Sequence, residues 1–134
     1  MKESEIRKEI RDWLDAQGVF CWPNLTVGIP DGQGGYRKHP MPGIADICGV
    51  LPNGRALAIE VKKPGSQTHK DHLITQMKFM GRVNACGGLG FFAYSLREVR
   101  VKVEPIIAVV PCERAKMWFV EVKEYLKSMS LPLE

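Results

Sequence analysis

The 134-residue chain reads as one mixed α/β domain, a sheet with helices packed against it, in the order α-β-β-β-α-β with further β and α segments after it. Three observations predict this. Near the start, and again after residue 68, apolar residues recur three and four apart, the period of a half-buried helix. Between and after those segments lie short runs rich in β-branched and aromatic residues, bounded by glycine and proline. The length supports one hydrophobic core and no more. No repeat, low-complexity tract or linker interrupts it, so residues 1–134 are taken as a single domain.

The elements follow in order. Residues 3–17 form a helix whose buried stripe is Ile6, Ile10, Trp13 and Leu14, stopped by Gly18. VFCWPNLTVG, 19–28, has the β-formers of a first strand. IPDGQGGYRKHPMPG, 29–43, is a loop by composition, and long loops in compact domains are often functional. Strands near 44–51 and 55–62 flank a Pro-Asn-Gly turn. Residues 68–84 form a second helix, with Leu73, Met77, Met80 and Val83 on one side and Gly87-Gly88 as its stop. LGFFAYS, 89–95, is a buried strand. REVRVKVE, 97–104, alternates like an exposed strand, IIAVV, 106–110, reads as another buried strand, and 113–128 as a helix.

Composition narrows the function classes. The hydrophobic and charged fractions, 45% and 25%, are those of a globular protein in water. No apolar run approaches the roughly 20 residues of a membrane span. MKESEIRKEI is charged and periodic, unlike a signal peptide. Cys21, Cys48, Cys86 and Cys112 are scattered and form no CxxC pair. Three lie in apolar surroundings, as reduced cysteines do in a cytoplasmic protein. A net charge of +4 permits a polyanionic partner without demanding one.

The hairpin carries the chemistry. Its strands are apolar enough to be buried, yet hold Asp46 and Glu60, with Lys62 two residues further on. A two-residue Asn53-Gly54 loop sends the acids to opposite faces. A three-residue loop, Pro52-Asn53-Gly54, pairs Leu51 with Arg55 and sets Asp46 opposite Glu60. Proline at its first position and glycine at its third favour the latter. Lys62 shares that face by the two-residue repeat, as do Ala56 and Ala58, which leave room above it. Two carboxylates so close repel, and one tends to keep its proton unless a cation intervenes. Hard oxygen ligands suit Mg²⁺ or Mn²⁺, and the lysine can orient or deprotonate an attacking water. The plain alternative is a buried Lys–carboxylate ion-pair network, which gains little stability.

Of the glutamates in the first helix, Glu3 alone projects onto the apolar stripe, although it also suits a helix N-terminus. Gln76 falls at the edge of the second helix's buried side, where it either orients water or marks a boundary. His69 and His72 stand three apart with no further zinc-type ligand near, and read as DNA-contacting or solvated side chains. No Walker loop, GxSxG or GxGxxG is present.

Asp46 followed by Glu60-Val61-Lys62 on a hairpin resembles the PD-(D/E)XK nuclease superfamily. Within it the chain resembles a stand-alone VRR-NUC domain, the virus-type replication-repair nuclease. The likeness is carried by ESEI (3–6), GIAD (43–46) after a glycine-rich loop, AIEVKKPGS (58–66), the glutamine of QMKF (76–79), and the Gly-Gly and FFAYS that follow. It covers residues 3 to about 99, leaving 100–134 as a C-terminal β/α extension. Ala45 stands where that family often has proline, with Pro42 three residues earlier.

The resemblance implies a restriction-endonuclease-like core and hydrolysis of DNA phosphodiester bonds, often in branched, flapped or Holliday-junction structures. It implies that Asp46, Glu60 and the Val61 carbonyl bind Mg²⁺ or Mn²⁺, with Glu3 assisting. Lys62 positions or activates the water, and Gln76 supports the site. Arg37, Lys38, Lys63 and Lys70 are candidate phosphate contacts. The resemblance also implies that small stand-alone members can act as homodimers, and Trp118 and Phe119 are a candidate interface or core. The setting implied is the cytoplasm of a bacterial or phage-infected cell. A non-catalytic DNA-binding subunit on the same fold remains the alternative.

Overall fold

The computed structural model describes residues 1–24, 29–37, 41–107 and 113–130. Helix α1, Glu3–Ala16, buries Ile6, Ile10 and Leu14, with Trp13 packed beside them. The Glu5 carboxylate accepts the Lys2 backbone N–H at 2.8 Å and closes the helix start. Strand β1, Phe20–Pro23, pairs antiparallel with β4, Ile47–Val50. The intervening loop contains a two-residue ladder between β2, Ile29–Pro30, and β3, Tyr36–Arg37.

The hairpin register follows the three-residue turn. Strand β5, Ala56–Val61, runs antiparallel to β4 with Ile47 across from Ile59 and Val50 across from Ala56. Carrying that register outward sets Leu51 against Arg55, whose carbonyl accepts the Leu51 N–H at 2.8 Å, and Asp46 against Glu60. Gly54 takes the left-handed conformation the turn requires, φ 89°.

Helix α2, Lys70–Ala85, then carries the chain to β6, Leu89–Ala93, which joins β5 in parallel. Parallel neighbours need such a crossover. The main sheet thus has the order β1-β4-β5-β6. One face, with Ile47, Leu57, Ile59 and Val61, packs against α1 to form the main core. The other is covered by α2, where Met80 meets Ala45 and Ala58. The small side chain of Ala58 therefore admits the helix rather than leaving open room above the strand.

Two expected strands are corrected. Residues 97–104 and 106–107 belong to helix α3, Leu96–Ile107; 108–110 lie outside the described residues. The alternating valines fit either period. The helix prevails because Val99 and Val103 sit four apart against α1 with Leu96, Ile106 and Ile107 beside them, while Val101 faces solvent. Ser95-Leu-Arg-Glu98 starts it: Ser95 Oγ accepts the Glu98 N–H, and the Glu98 carboxylate accepts the Tyr94 N–H at 2.7 Å. Arg100 and Glu104 add an ion pair one turn apart. Helix α4, Glu113–Ser128, agrees with the periodicity; the side chains of Trp118 and Phe119 lie outside the described residues.

Candidate active site

The site forms where the β4–β5 ladder ends and α1 and α2 close over it. Asp46 and Glu60 are buried, 5% and 4% exposed. They brace each other's backbone: Glu60 Oε2 accepts the Asp46 N–H at 3.1 Å, and Asp46 Oδ2 accepts the Val61 N–H at 2.8 Å. The acids thus finish the ladder that their own strands begin.

Gly43 lets the loop before Asp46 approach α2. Its φ is 72°, and a β-carbon there would lie 2.4 Å from the Thr75 carbonyl oxygen and 2.9 Å from the Gln76 nitrogen. Any side chain would drive the loop from the helix, or force strained backbone on a residue other than glycine.

Gln76 is at the centre of the buried side of α2, not its edge. Its amide nitrogen donates to Glu60 Oε1 at 2.7 Å, and its carbonyl oxygen accepts from Lys62 Nζ at 2.9 Å. It joins acid and base without adding charge. The helix turns this polar residue inward because the strand beneath it is polar here. The same rotation leaves Met77, expected inside, 56% exposed. Thr68 Oγ1 accepts a second Lys62 hydrogen at 3.0 Å, and Glu60 Oε1 lies 3.8 Å from Nζ.

Burial, and then the charge of Asp46, raise the Glu60 carboxyl from its ordinary 4.5 to about 8, against the opposing pull of Lys62. Glu60 thus tends to hold a proton at neutral pH unless more positive charge arrives. Among the described residues no group of three His, Cys, Asp or Glu is placed to hold a metal. The donors shown here are two carboxylates, hard oxygen ligands that fit Mg²⁺ or Mn²⁺ with water completing the shell and fit zinc poorly.

Asp46, Glu60, Lys62, Gln76 and Glu3 all line one cleft of about 670 Å³. Glu3 reaches it by accepting the Lys63 N–H at 3.0 Å on Oε1, which ties the first turn of α1 to the end of β5. The other expected phosphate contacts are not gathered there. Lys63 and Lys70 are exposed and outside the cleft lining, while Lys38 and the Arg37 side chain lie outside the described residues. His69 and His72 do line it. His69 Nδ1 accepts the Asp71 N–H at the start of α2, and His72 Nε2 lies 3.3 Å from the Gln76 amide nitrogen.

Two cleft residues escaped sequence reasoning. Arg7 Nη1 stands 3.6 Å from Asp46 Oδ1; its position one turn after Glu3 on the same helix face was the available signal. Thr68 is fixed by a loop and had none.

A four-stranded mixed sheet with an acid-bearing hairpin between helices defines a restriction-endonuclease-like fold. The particular likeness is to a solved VRR-NUC domain, 22% identical, with a TM-score of 0.52, over 76% of this chain and 94% of that one. The chain has the fold of that domain. No protein-family model matches it, and no curated protein matches it in sequence.

Proposed function

We propose that the chain is a divalent-metal-dependent DNA endonuclease that hydrolyses phosphodiester bonds in branched, flapped or Holliday-junction DNA during replication, repair or recombination. One observation carries this reading: Asp46, Glu60 and Lys62 converge in a single cleft, where Gln76 joins Glu60 to Lys62. The fold likeness to a VRR-NUC domain supports it, since the motifs around those residues resemble the same nuclease family.

In this reading Asp46, Glu60 and the Val61 carbonyl hold Mg²⁺ or Mn²⁺, with Glu3 assisting from α1. The cation supplies positive charge against the phosphate oxygens and acidifies water at the site. Lys62 is built to manage that water. Thr68 and Gln76 take two of its hydrogens, which leaves one tetrahedral vertex outside those hydrogen bonds. In the ammonium form that vertex is a donor, for a phosphate oxygen or the water; in the neutral amine it is a lone pair that can accept the water's proton. Either state keeps both anchors. Gln76 supports the pair, and Arg37, Lys38, Lys63 and Lys70 contact the DNA backbone further out. Pairing of two copies would cut two strands, in the cytoplasm of a bacterial or phage-infected cell.

The test is direct. Labelled duplex, flap, fork and four-way-junction DNA are incubated with the protein in Mg²⁺, Mn²⁺ or chelator. Metal-dependent cleavage of a branched substrate, lost in Asp46→Ala, is expected. Metal-independent binding with no cutting on any substrate would instead favour the DNA-binding subunit.

A further inference from the structure

Arg7 differs from every other charged group facing Asp46 and Glu60. Asp46 Oδ2 is held by the Val61 N–H, both Glu60 oxygens accept hydrogen bonds, and Lys62 has two anchors. Among the described residues Arg7 makes one ion pair, the 3.6 Å approach to Asp46, and its guanidinium makes no hydrogen bond. Its side chain is 34% exposed at the mouth of the cleft, against 6% for Asp46. A guanidinium offers five N–H donors in a rigid fork. Here that fork neither engages the carboxylate in the paired geometry it favours nor braces any other element. No hydrogen bond ties this cation to the acid; their pairing is electrostatic.

That arrangement has a consequence for ligand binding. A divalent ion at Asp46 and Glu60 and the Arg7 charge compete for the same carboxylate. Once the ion neutralises Asp46, the attraction that keeps Arg7 there is gone and like charges oppose it. The fork, already at the cleft mouth, is then free for the other anion that must enter, a backbone phosphate of the nucleic acid. We propose that Arg7 is a substrate-contacting residue with two stations: counter-ion to Asp46 in the metal-free chain, and phosphate clamp in the loaded one. The inference rests on the nuclease reading above.

Two measurements on Arg7→Gln decide it. The first is Mn²⁺ titration by calorimetry without DNA. Loss of the competing charge should tighten Mn²⁺ binding by about threefold or more, whereas a merely structural role would weaken it. The second is kcat/KM on the DNA that the wild-type chain cuts, expected to fall by about 10- to 100-fold. Arg7→Lys, which keeps the charge without the fork, should bind Mn²⁺ like the wild type and cleave at an intermediate rate. Unchanged or weaker Mn²⁺ binding by Arg7→Gln, or cleavage at the wild-type rate, overturns the proposal. If the wild-type chain cuts no DNA, the nuclease reading fails by itself, and the Mn²⁺ comparison still decides whether Arg7 and the ion compete. If the wild-type chain binds no Mn²⁺, both fall together.

Discussion

The two faces of β5 are built from one six-residue strand, Ala56–Val61, and hold opposite chemistry. Leu57, Ile59 and Val61 point to the α1 side and are at most 2% exposed in an apolar core. Ala58 and Glu60, continued by Lys62, point to the α2 side, where a buried acid and amide meet a part-buried ammonium. Burying Leu or Ile stabilises a fold by roughly 1.5–3 kcal/mol each. Burying ionisable groups recovers little or nothing net, even when every hydrogen bond is made. Two-residue alternation therefore lets one strand anchor the fold with its odd positions and hold the site, at a cost in stability, with its even ones.

Breaking either face should expose this division. The largest effect expected is on the polar side: Lys62→Ala should lower cleavage by about a thousandfold, with circular dichroism and melting temperature close to wild type. Cleavage by Lys62→Ala at the wild-type rate would remove the assigned role. On the other face Ile59→Ala should cost about 2–5 kcal/mol of stability, read from denaturant unfolding. If the proposed function holds, cleavage by this variant should respond to Mg²⁺ and Mn²⁺ as the wild type's does, at temperatures where it stays folded.

A pH series sharpens the contrast. In the metal-free chain burial and the Asp46 charge push the Glu60 carboxyl up from its ordinary 4.5 to about 8. Between those values the unfolded chain releases a proton that the folded chain keeps, so Glu60 makes stability fall as pH rises through that window. Glu60→Gln should remove this part of the slope, and equal slopes in the two proteins would contradict the burial argument. The smallest effect is at Thr68. Thr68→Val removes one of the two Lys62 anchors and should slow cleavage about fivefold, the worth of one ordinary hydrogen bond.

Much of the site was legible because turn chemistry fixes strand register. Pro52 and Gly54 select the three-residue loop, and the opposition of Asp46 to Glu60 then follows from counting. The misread segment shows the converse. Val99, Val101 and Val103 satisfy a period of two, and only packing against α1 selects the pair four apart; the Ser95–Glu98 capping pattern was the local clue. Gln76 was placed at a margin because apolar spacing cannot register a helix turned inward by polar contacts. Arg7 and Thr68 meet their partners across 39 and 6 residues, through space rather than through any sequence period.

The mutual brace of Asp46 and Glu60 gives the molecule its own indicator. Each carboxylate accepts an amide proton from the opposite strand, at Asp46 and at Val61. Whatever cation draws on those oxygens must change what the two protons feel. Two resonances in an amide NMR spectrum therefore report occupancy of the cleft residue by residue, without substrate, turnover or an added label beyond ¹⁵N.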